Sequence, residues 1–322
     1  MRKSLLTLAA AAAAIVPASI AHAAWPDRPI TFIVPWGAGG GTDQVARVFA
    51  AGLEKQLGQP VNVVNKTGGN GIVGHSAIAT ATADGYTVGA CTSEITYFKT
   101  VGLGAITPDS FTLISRLATL PAGVTVAANS PYADLKALMA DIKAKPKGTF
   151  TTSGSGAGGP WHMAIAGLTK AAGMPADQVK FVPSQGGAPA LQDLVAGGLT
   201  MVTASPIEAK SLADAKAVRI LVTMDERRLS SFPDVPTVKE ATGLDWSLVN
   251  WFSFCAPKGL PADILAKITD AGAKAHASEM VQGPLKQRGI TPVWDGPDAF
   301  KAFATKFAAT AEALLKELGL AK

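Results

Sequence analysis

The chain has 322 residues, of which 48% are hydrophobic and 16% charged, and it carries a formal net charge of +5 at pH 7. A chain of this length and apolar content can build one large domain or two of ordinary size. Its lysines are spread along the sequence, whereas nucleic-acid binding requires a concentrated basic face, so these features argue against a nucleic-acid partner.

The N-terminus predicts a secretory signal peptide over residues 1–23. Arg2 and Lys3 precede an apolar run from Leu5 to Val16, and the segment ends Ala21-His22-Ala23. A positive start, a short apolar core and a small-x-small site are typical of such peptides. The run is short for a spanning helix, which needs roughly 20 apolar residues. Cleavage after Ala23 would leave a mature periplasmic chain of 299 residues (322 minus 23).

The mature sequence alternates strand-like and helix-like segments, which predicts an α/β fold with mostly parallel sheets and helices on both faces. The predicted strands are Ile30–Pro35, Val61–Asn65, Tyr86–Thr92, Gly123–Ala128, Thr149–Ser153, Val179–Pro183, Thr200–Ser205, Val218–Met224 and Trp246–Ala256. The predicted helices are Thr42–Leu57, Gly74–Ala83, Ser130–Ala144, Pro160–Ala172, Ala188–Ala196, Pro206–Ala215, Pro261–Ala277 and Pro297–Leu318.

Two of these helices carry further signals. Ser130 with Pro131 at the first helical position predicts the start of the third helix. In the last helix, Phe300, Phe303 and Phe307 fall on roughly one face, which predicts that this face is buried.

The two cysteines, Cys91 and Cys255, each lie in an apolar, strand-like run. An oxidising compartment would permit a disulfide between them. Buried free cysteine is, however, a common small hydrophobic residue in protein cores. We therefore favour two buried free thiols over a bridge.

The tail of the chain predicts a two-lobed architecture. Too little sequence follows Val218 for a third domain, so the tail is expected to return to the first one. Two lobes joined by two crossings are typical of receptors that close about a hinge. We expect crossings near Pro121–Val124 and Thr242–Val249, with lobe 1 formed by 24–122 plus 247–322 and lobe 2 by 123–246.

Three strand-to-helix junctions are rich in glycine: residues 35–43, 153–162 and 183–188, named here the first, second and third glycine loops. Glycine lets the backbone approach a ligand closely, and a helix start offers free N–H groups and partial positive charge. Together they form a cradle for an anion at the carboxyl ends of the strands. The alternative is that some of these glycines only allow close packing of strand and helix.

The missing motifs favour a carboxylate over a nucleotide. None of the three loops ends in Gly-Lys-Ser/Thr, as a phosphate-binding Walker loop does. Gly37 and Gly39 imitate part of a dinucleotide fingerprint, but Thr42 stands where its last glycine would be, and no acidic residue occurs in Val61–Lys66. We expect no cofactor.

Catalysis and metal binding also lack their usual signals. Ser153 and Ser155 lack the spacing of a nucleophile elbow, and the histidines form no metal-binding pair. We therefore expect a protein that is not an enzyme. A secreted hydrolase remains the alternative from another functional class.

Several blocks of sequence resemble the receptors of tripartite tricarboxylate transporters, also called Bug proteins. The blocks are Trp25–Thr31, Ile33–Asp43, Leu57–Val61, Asp84–Thr87, Gly186–Leu191, Phe232–Thr237 and Trp251-Phe252. They span nearly the whole mature chain in the same order. The resemblance implies a Venus-flytrap fold of type II-like topology, no catalysis, and delivery of a carboxylate ligand to membrane permease subunits by a monomeric receptor.

The resemblance also implies that backbone N–H groups of the first and third loops, with ordered waters, hold one ligand carboxylate. The candidate ligand-binding residues are Trp36, Gly37, Ala38, Gly39, Gly40, Thr42, Glu94, Ser153, Ser155, Gly156, Trp161, His162, Ser184, Gly186, Gly187, Ala188, Ala204 and Ser205. Asp43 matches an aspartate of the family, and it either contacts the ligand or pins the loop from the helix start.

The departures from the family pattern concern the ligand. Ala204 stands where many relatives have an aspartate, which argues against an α-amino acid, and Gln185 replaces a basic residue. Glu94 either contacts a hydroxyl or cationic group of the ligand or faces solvent. Trp36 and Trp161 either form a flat wall for the ligand or pack between loops. A periplasmic sensing subunit is an alternative to a transport receptor that the sequence leaves open.

Overall fold

The computed structural model describes residues 25–322, and the predicted signal peptide lies outside them. The strands are β1 (Ile30–Val34), β2 (Val61–Asn65), β3 (Thr87–Thr92), β4 (Phe111–Pro121), β5 (Gly123–Ala127), β6 (Thr151–Thr152), β7 (Lys180–Phe181), β8 (Val218–Thr223), β9 (Val249–Pro257) and β10 (Thr291–Pro292). The helices are α1 (Gly41–Leu57), α2 (Ile72–Ala79), α3 (Leu135–Ala144), α4 (Pro160–Ala171), α5 (Gly187–Val195), α6 (Lys210–Asp214), α7 (Val238–Thr242), α8 (Ala262–Ala277), α9 (Glu279–Gln287) and α10 (Pro297–Glu317). Strands and helices alternate through most of this order, as predicted for an α/β chain.

A six-stranded sheet, in the order β10-β4-β9-β3-β1-β2, contains the first four strands and the last two. β1 runs parallel to β2 and β3, whereas β9 is antiparallel to both β3 and β4. The expectation of mostly parallel pairing is therefore wrong for this sheet. Pro121, at the end of β4, pairs with Val249, at the start of β9. Because β9 enters where β4 leaves, the two strands run in opposite directions.

The longest strand of this sheet, β4, was missing from the predicted elements. Arg116 lies inside it and interrupts the apolar pattern. Its Nε lies 2.7 Å from Oδ2 of Asp295, and its guanidinium lies 3.9 Å above the ring of Phe303. The strand therefore accommodates a charge because partners from the C-terminal segment neutralise and cover it.

The two faces of the sheet have separate apolar layers because side chains alternate along each strand. On the α1 face, the ring of Phe254 lies 5.9 Å from that of Phe32 and 5.0 Å from that of Phe49. On the opposite face, Trp251 packs against Phe300, with ring centroids 5.2 Å apart. Phe303 and Phe307 also pack edge-on against Trp251. The apolar face predicted for the last helix is confirmed.

Cys91 and Cys255 form a disulfide between β3 and β9, with the Cα atoms 5.9 Å apart. The interpretation as two free thiols is wrong. Gly89 pairs with Cys255 and Cys91 with Ser253, so the cysteines lie diagonally across the ladder on one face. Sequence alone could not give this register, because the two cysteines are 164 residues apart along the chain.

The remaining strands pair only among themselves within the described residues: β5 antiparallel with β8, and β6 parallel with β7. The predicted strand Thr200–Ser205 is wrong, because only Val202 forms a bridge, to Thr125. The amide of Val202 donates to the Thr125 carbonyl at 2.8 Å, and that of Thr203 donates to Ser153 at 3.0 Å. The segment thus divides its backbone hydrogen bonds between β5, at Thr125, and the residue that follows β6, Ser153. It therefore forms no continuous strand pairing with either of them.

Two helices begin later than predicted. α3 begins at Leu135 rather than Ser130, because the carboxylate of Asp134 accepts from the Ala137 amide at 2.8 Å and caps the helix there. α6 begins at Lys210 rather than Pro206. The residues before it form tight turns, in which the Glu208 amide donates to the Ser205 carbonyl at 3.0 Å.

The chain passes between the two groups of strands twice, from β4 to β5 at Ala122 and from β8 to β9 between Met224 and Leu248. The amide of Ala122 donates to the Leu248 carbonyl at 2.9 Å, and the amide of Leu248 donates to the Met224 carbonyl at 3.0 Å. The amide of Met224 in turn donates to the Ala122 carbonyl at 2.7 Å. These bonds tie the segments near both expected crossings to one another. Among the helices described, none combines the length and apolar character needed to cross a membrane.

Candidate functional site

A small cavity of about 90 Å³ lies where the ends of strands from both groups meet. Its walls come from the three glycine loops and from single residues after β3, before α6 and on β9. The lining residues are Trp36, Gly37, Ala38, Gly40, Gly41, Thr42, Glu94, Ser155, Pro160, Trp161, Gln185, Gly186, Gly187, Ala188, Pro189, Glu208, Asn250 and Phe252. The volume is well below the roughly 300–1,000 Å³ of pockets that hold drug-sized ligands.

The first glycine loop is held in place by Asp43. Oδ2 of this residue accepts from the Gly39 amide at 2.9 Å and from Nε of Arg47, and Oδ1 accepts from Nδ2 of Asn65. Burial opposes ionisation of Asp43, but the hydrogen bonds from Arg47, Gly39 and Asn65 outweigh it and lower its pKa. These contacts tie Gly39 of the loop to α1 and to Asn65 at the end of β2, so they support the pinning role of Asp43.

The first and third loops approach each other across the cavity. α1 begins at Gly41 and α5 at Gly187, so both helix starts face this space with the N–H groups that a helix leaves unpaired. A Cβ added to Gly37 would lie 3.7 Å from the carbonyl oxygen of Gln185. The structure therefore brings together two of the three predicted anion cradles.

Glu208 lies between these two helix starts. Its Oε1 accepts from the Gly41 amide at 3.1 Å, and its Oε2 accepts from the Ser205 amide at 3.3 Å. A Cβ added to Gly187 would lie 2.6 Å from the carboxyl carbon of Glu208. Burial raises the pKa of Glu208 to about 7, while the hydrogen bonds from Gly41 and Ser205 act in the other direction.

The second glycine loop contributes a hydroxyl and an indole. Ser155 is 4% exposed, lines the cavity, and its Oγ has no hydrogen-bond partner among the described residues. Buried hydroxyls are normally hydrogen-bonded, so an unpaired one beside a cavity indicates a ligand or water partner. Trp161 lines the same cavity and also packs on Gly154.

A buried polar network supports the wall behind the first loop. Nε1 of Trp36 donates to Oγ1 of Thr92 at 3.2 Å, and that hydroxyl donates to Oε2 of Glu94 at 2.5 Å. The Thr92 amide donates to Nε2 of His75 at 3.1 Å. Burial lowers the pKa of His75 to about 4, so its ring is neutral at pH 7. Trp36 is thus both a cavity wall and a packed, hydrogen-bonded residue.

Glu94 is buried rather than solvent-facing, since only 3% of its surface is exposed. It lines the cavity from the turn that follows β3, and burial raises its pKa, although hydrogen bonds from Thr92 and Ser93 act against this. The default of an exposed glutamate is therefore wrong here. The cavity has two carboxyl groups and no lysine or arginine among its lining residues.

Within residues 25–322 no three His, Cys, Asp or Glu side chains are arranged to hold a metal ion. The described histidines have partners elsewhere. Nδ1 of His162 accepts from the Gly158 amide at 3.0 Å, and its ring stacks on Phe181 at 4.3 Å. His276 lies 2.9 Å from the Leu117 carbonyl oxygen, beside the main sheet.

The predicted site residues divide into two groups. Those that line the cavity are Trp36, Gly37, Ala38, Gly40, Thr42, Glu94, Ser155, Trp161, Gly186, Gly187 and Ala188. Those that lie outside its lining are Gly39, Ser153, Gly156, His162, Ser184, Ala204 and Ser205. The cavity residues that the sequence-based list omits are Gly41, Pro160, Gln185, Pro189, Glu208, Asn250 and Phe252. Of the omitted residues, Gly41, Pro189 and Phe252 belong to blocks that carried the family resemblance, but Glu208 has no such signal.

The comparisons with known proteins establish the family of this chain. A sequence model described as the tripartite tricarboxylate transporter family receptor matches residues 45–320. BugT of Bordetella pertussis is 30% identical over 300 residues, which are 91% of this chain and 90% of BugT. The chain belongs to the tripartite tricarboxylate transporter receptor family.

Solved structures of tripartite tricarboxylate receptors and other periplasmic binding proteins share the fold. An R. palustris protein solved with adipate is 26% identical, with a TM-score of 0.85 over 92% of this chain and 99% of that one. MatC of Rhodopseudomonas palustris, solved with bound malate, is 25% identical, with a TM-score of 0.79 over 90% and 100%. The predicted two-lobed α/β fold of periplasmic binding proteins is confirmed.

Proposed function

We propose that this chain is a periplasmic receptor that captures a small organic carboxylate and delivers it to the membrane subunits of a tripartite tricarboxylate transporter. One observation carries the proposal: two helix starts, at Gly41 and Gly187, face each other across a buried cavity. Their N–H groups and partial positive charge suit a carboxylate. The unpaired hydroxyl of Ser155 supplies a further donor beside them.

The two relatives solved with adipate and with malate support a carboxylate ligand, since both compounds are dicarboxylic acids. The ligand cradle uses backbone amides rather than a basic side chain, because lysine and arginine are absent from the cavity lining. The same family and fold, which are those of binding proteins, support a receptor without catalysis. No cofactor and no nucleic acid enter this proposal.

Ligand entry requires the cavity to open. At about 90 Å³ it is smaller than the roughly 300–1,000 Å³ of pockets that hold drug-sized ligands. We assign lobe 1 to residues 24–122 plus 247–322 and lobe 2 to 123–246. The bonded crossings at Ala122, Met224 and Leu248 would then act as the hinge, opening the cavity and closing it on a ligand.

A screen of thermal stability tests capture. Dicarboxylates, tricarboxylates, aromatic acids and amino acids are added separately to the mature chain, and binding is confirmed by calorimetry. One acid should stabilise the fold by about 2.7 kcal/mol at a hundredfold excess over its Kd, without being consumed. Turnover of that acid would instead support an enzyme, and no shift with any acid would contradict the carboxylate assignment.

Delivery and location need separate tests. N-terminal sequencing of periplasmic material should give Ala24 as the first residue, and light scattering should give a monomer. Deletion of the gene should abolish uptake of the bound acid, and the wild-type chain should restore it. Normal uptake by the deletion strain would contradict the transport role while leaving ligand capture intact.

A further inference from the structure

Glu208 occupies the place where the proposed cradle would hold a ligand carboxylate. It belongs to the segment between the Val202 bridge and α6, yet it accepts a hydrogen bond from Gly41, the first residue of α1. Its carboxyl group also lies against the start of α5. A Cβ on Gly187 would be 2.6 Å from the carboxyl carbon and from both carboxyl oxygens. One protein carboxylate therefore contacts both helix starts.

Glu208 has no counter-charge in this position. It forms no ion pair with any residue of the described part of the chain. The charged groups on the elements around it each have other partners. These are Asp43 with Arg47, Glu94 with Thr92, Lys210 with Asp214, and Arg288 with the Pro284 carbonyl.

A second carboxylate could not join an ionised Glu208 in this cavity. Like charges a few ångströms apart disfavour the ionised form of one of the groups, and the lining offers no basic side chain that would separate them. Glu94 is the second carboxyl group in the lining of the same cavity. Burial raises the pKa of Glu208 to about 7, so its carboxyl group can take up a proton near neutral pH.

Resting on the function proposed above, we propose that Glu208 is a specificity-determining residue whose carboxylate, which accepts from the Gly41 amide and lies against Gly187, competes with the ligand for this place between the two helix starts. An external carboxylate then binds only when Glu208 has taken up one proton from solvent, and the neutral acid donates its O–H to the ligand. The charge of Glu208 therefore determines which acids the site selects. The site favours acids that present one carboxylate to the cradle and disfavours those that bring a second negative charge near Glu208.

The matched variants are Glu208→Gln, which keeps the shape but cannot ionise, and Glu226→Gln, which changes an exposed glutamate. Adipate and malate are the probes. Calorimetry from pH 6 to 8.5, in buffers with different ionisation enthalpies, gives the affinity and the number of protons taken up. Wild type and Glu226→Gln should lose affinity about tenfold per pH unit above pH 7 and take up close to one proton at pH 8. Glu208→Gln should take up none and bind at least tenfold more tightly at pH 8, with little change at pH 6.

A constant wild-type affinity across this range would overturn the proposal, as would weaker binding by Glu208→Gln at every pH. A ligand-free measurement separates failure of this inference from failure of the proposed function. In protein labelled with ¹³C at the glutamate carboxyl carbons, one resonance should titrate near pH 7 and be missing from Glu208→Gln. If no acid of the screen binds, adipate and malate included, but this resonance is found, the carboxylate function fails while the enclosure of Glu208 stands. If Glu208 titrates near 4.5, its carboxylate is not enclosed between the helix starts and the inference is wrong.

Discussion

The second glycine loop and the pair formed by the first and third loops use the same residue type for different purposes. In the second loop, a Cβ on Gly154 would lie 2.6 Å from Cβ of Trp161, and one on Gly156 would lie 2.1 Å from Oδ1 of Asn70. Those glycines make room for side chains of the fold. In the first and third loops, Gly41 and Gly187 instead face a carboxylate.

This difference separates two reasons for a glycine-rich junction. Close packing needs the absence of a Cβ, whereas an anion cradle also needs a free N–H group at a helix start. α4 starts at Pro160, which has no N–H group to offer. The glycine content of the second loop is therefore explained mainly by packing, although its Ser155 still reaches the cavity.

Gly187→Val should have the largest effect on binding. The added side chain would enter the space of the Glu208 carboxyl and of any ligand carboxylate, because its Cβ alone would lie 2.6 Å from that group. We expect affinity for the acid found in the screen to fall at least about a hundredfold, equivalent to about 2.7 kcal/mol. Calorimetry measures this loss.

The matched control is Gly296→Ala, since a Cβ there meets no atom within 4 Å. Gly296→Ala should bind as the wild type does. If Gly187→Val keeps its affinity while its circular dichroism and melting remain normal, the third loop does not hold the ligand.

Glu208, between the first and third loops, and His162, in the second loop, should make the free energy of unfolding depend on pH in opposite directions. Glu208 has a raised pKa of about 7, so the stability it contributes is full below its ordinary value of 4.5 and is lost as pH rises through 7. Burial lowers the pKa of His162, in the second loop, to about 4. Its contribution is therefore full above pH 6.5 and is lost as pH falls through 4.

Urea unfolding between pH 4.5 and 8 measures both contributions. Relative to wild type, the free energy of unfolding of Glu208→Gln should rise more steeply with pH, and that of His162→Gln less steeply. Each difference has an upper bound of about 3 kcal/mol, at 1.36 kcal/mol per unit of pKa shift. Parallel curves for all three proteins would show that neither group titrates differently on folding.

Gly154→Ala should reduce stability more than binding. Its Cβ would overlap Cβ of Trp161, which the start of α4 holds in place, so the loop or the helix must shift. Overpacking of this kind costs about 1–3 kcal/mol of unfolding free energy. The affinity should stay within about tenfold of wild type, because the cradle amides are in other loops. A hundredfold loss of affinity without loss of stability would remove the distinction between the loops.

The parts of the site that could be predicted from sequence are those with local signals. Clusters of glycine mark a loop between a strand-like and a helix-like segment, so Gly41 and Gly187 fell within the predicted loops. Glu208 has no local signal, since it is one charged residue in a turn. Its position depends on Ser205 and Pro206 delaying the start of α6, which turns its side chain toward α1.

The same limit applies to the fold. The parallel strands β1 and β2 follow from residues close in sequence and were predicted to within one residue. The Cys91–Cys255 bridge depends on the register of β3 against β9, which distant segments set together. A strand such as β4, whose Arg116 is neutralised by a residue from the C-terminal segment, likewise becomes recognisable only when that segment is in place.

Ser155→Ala should give the smallest effect, and it tests the one part of the second loop that the comparison assigns to the ligand. The hydroxyl is buried and has no hydrogen-bond partner among residues 25–322, so removing it leaves none of their polar groups unpaired and should not lower stability. A ligand that accepts from it would lose one hydrogen bond, which amounts to about 1 kcal/mol or roughly a fivefold rise in Kd. Ser153→Ala is the control, because its hydroxyl is also buried and unpaired but lies outside the cavity lining. Equal affinities for the two variants would mean that the second loop serves packing alone, and that the ligand is held by the first and third loops without it.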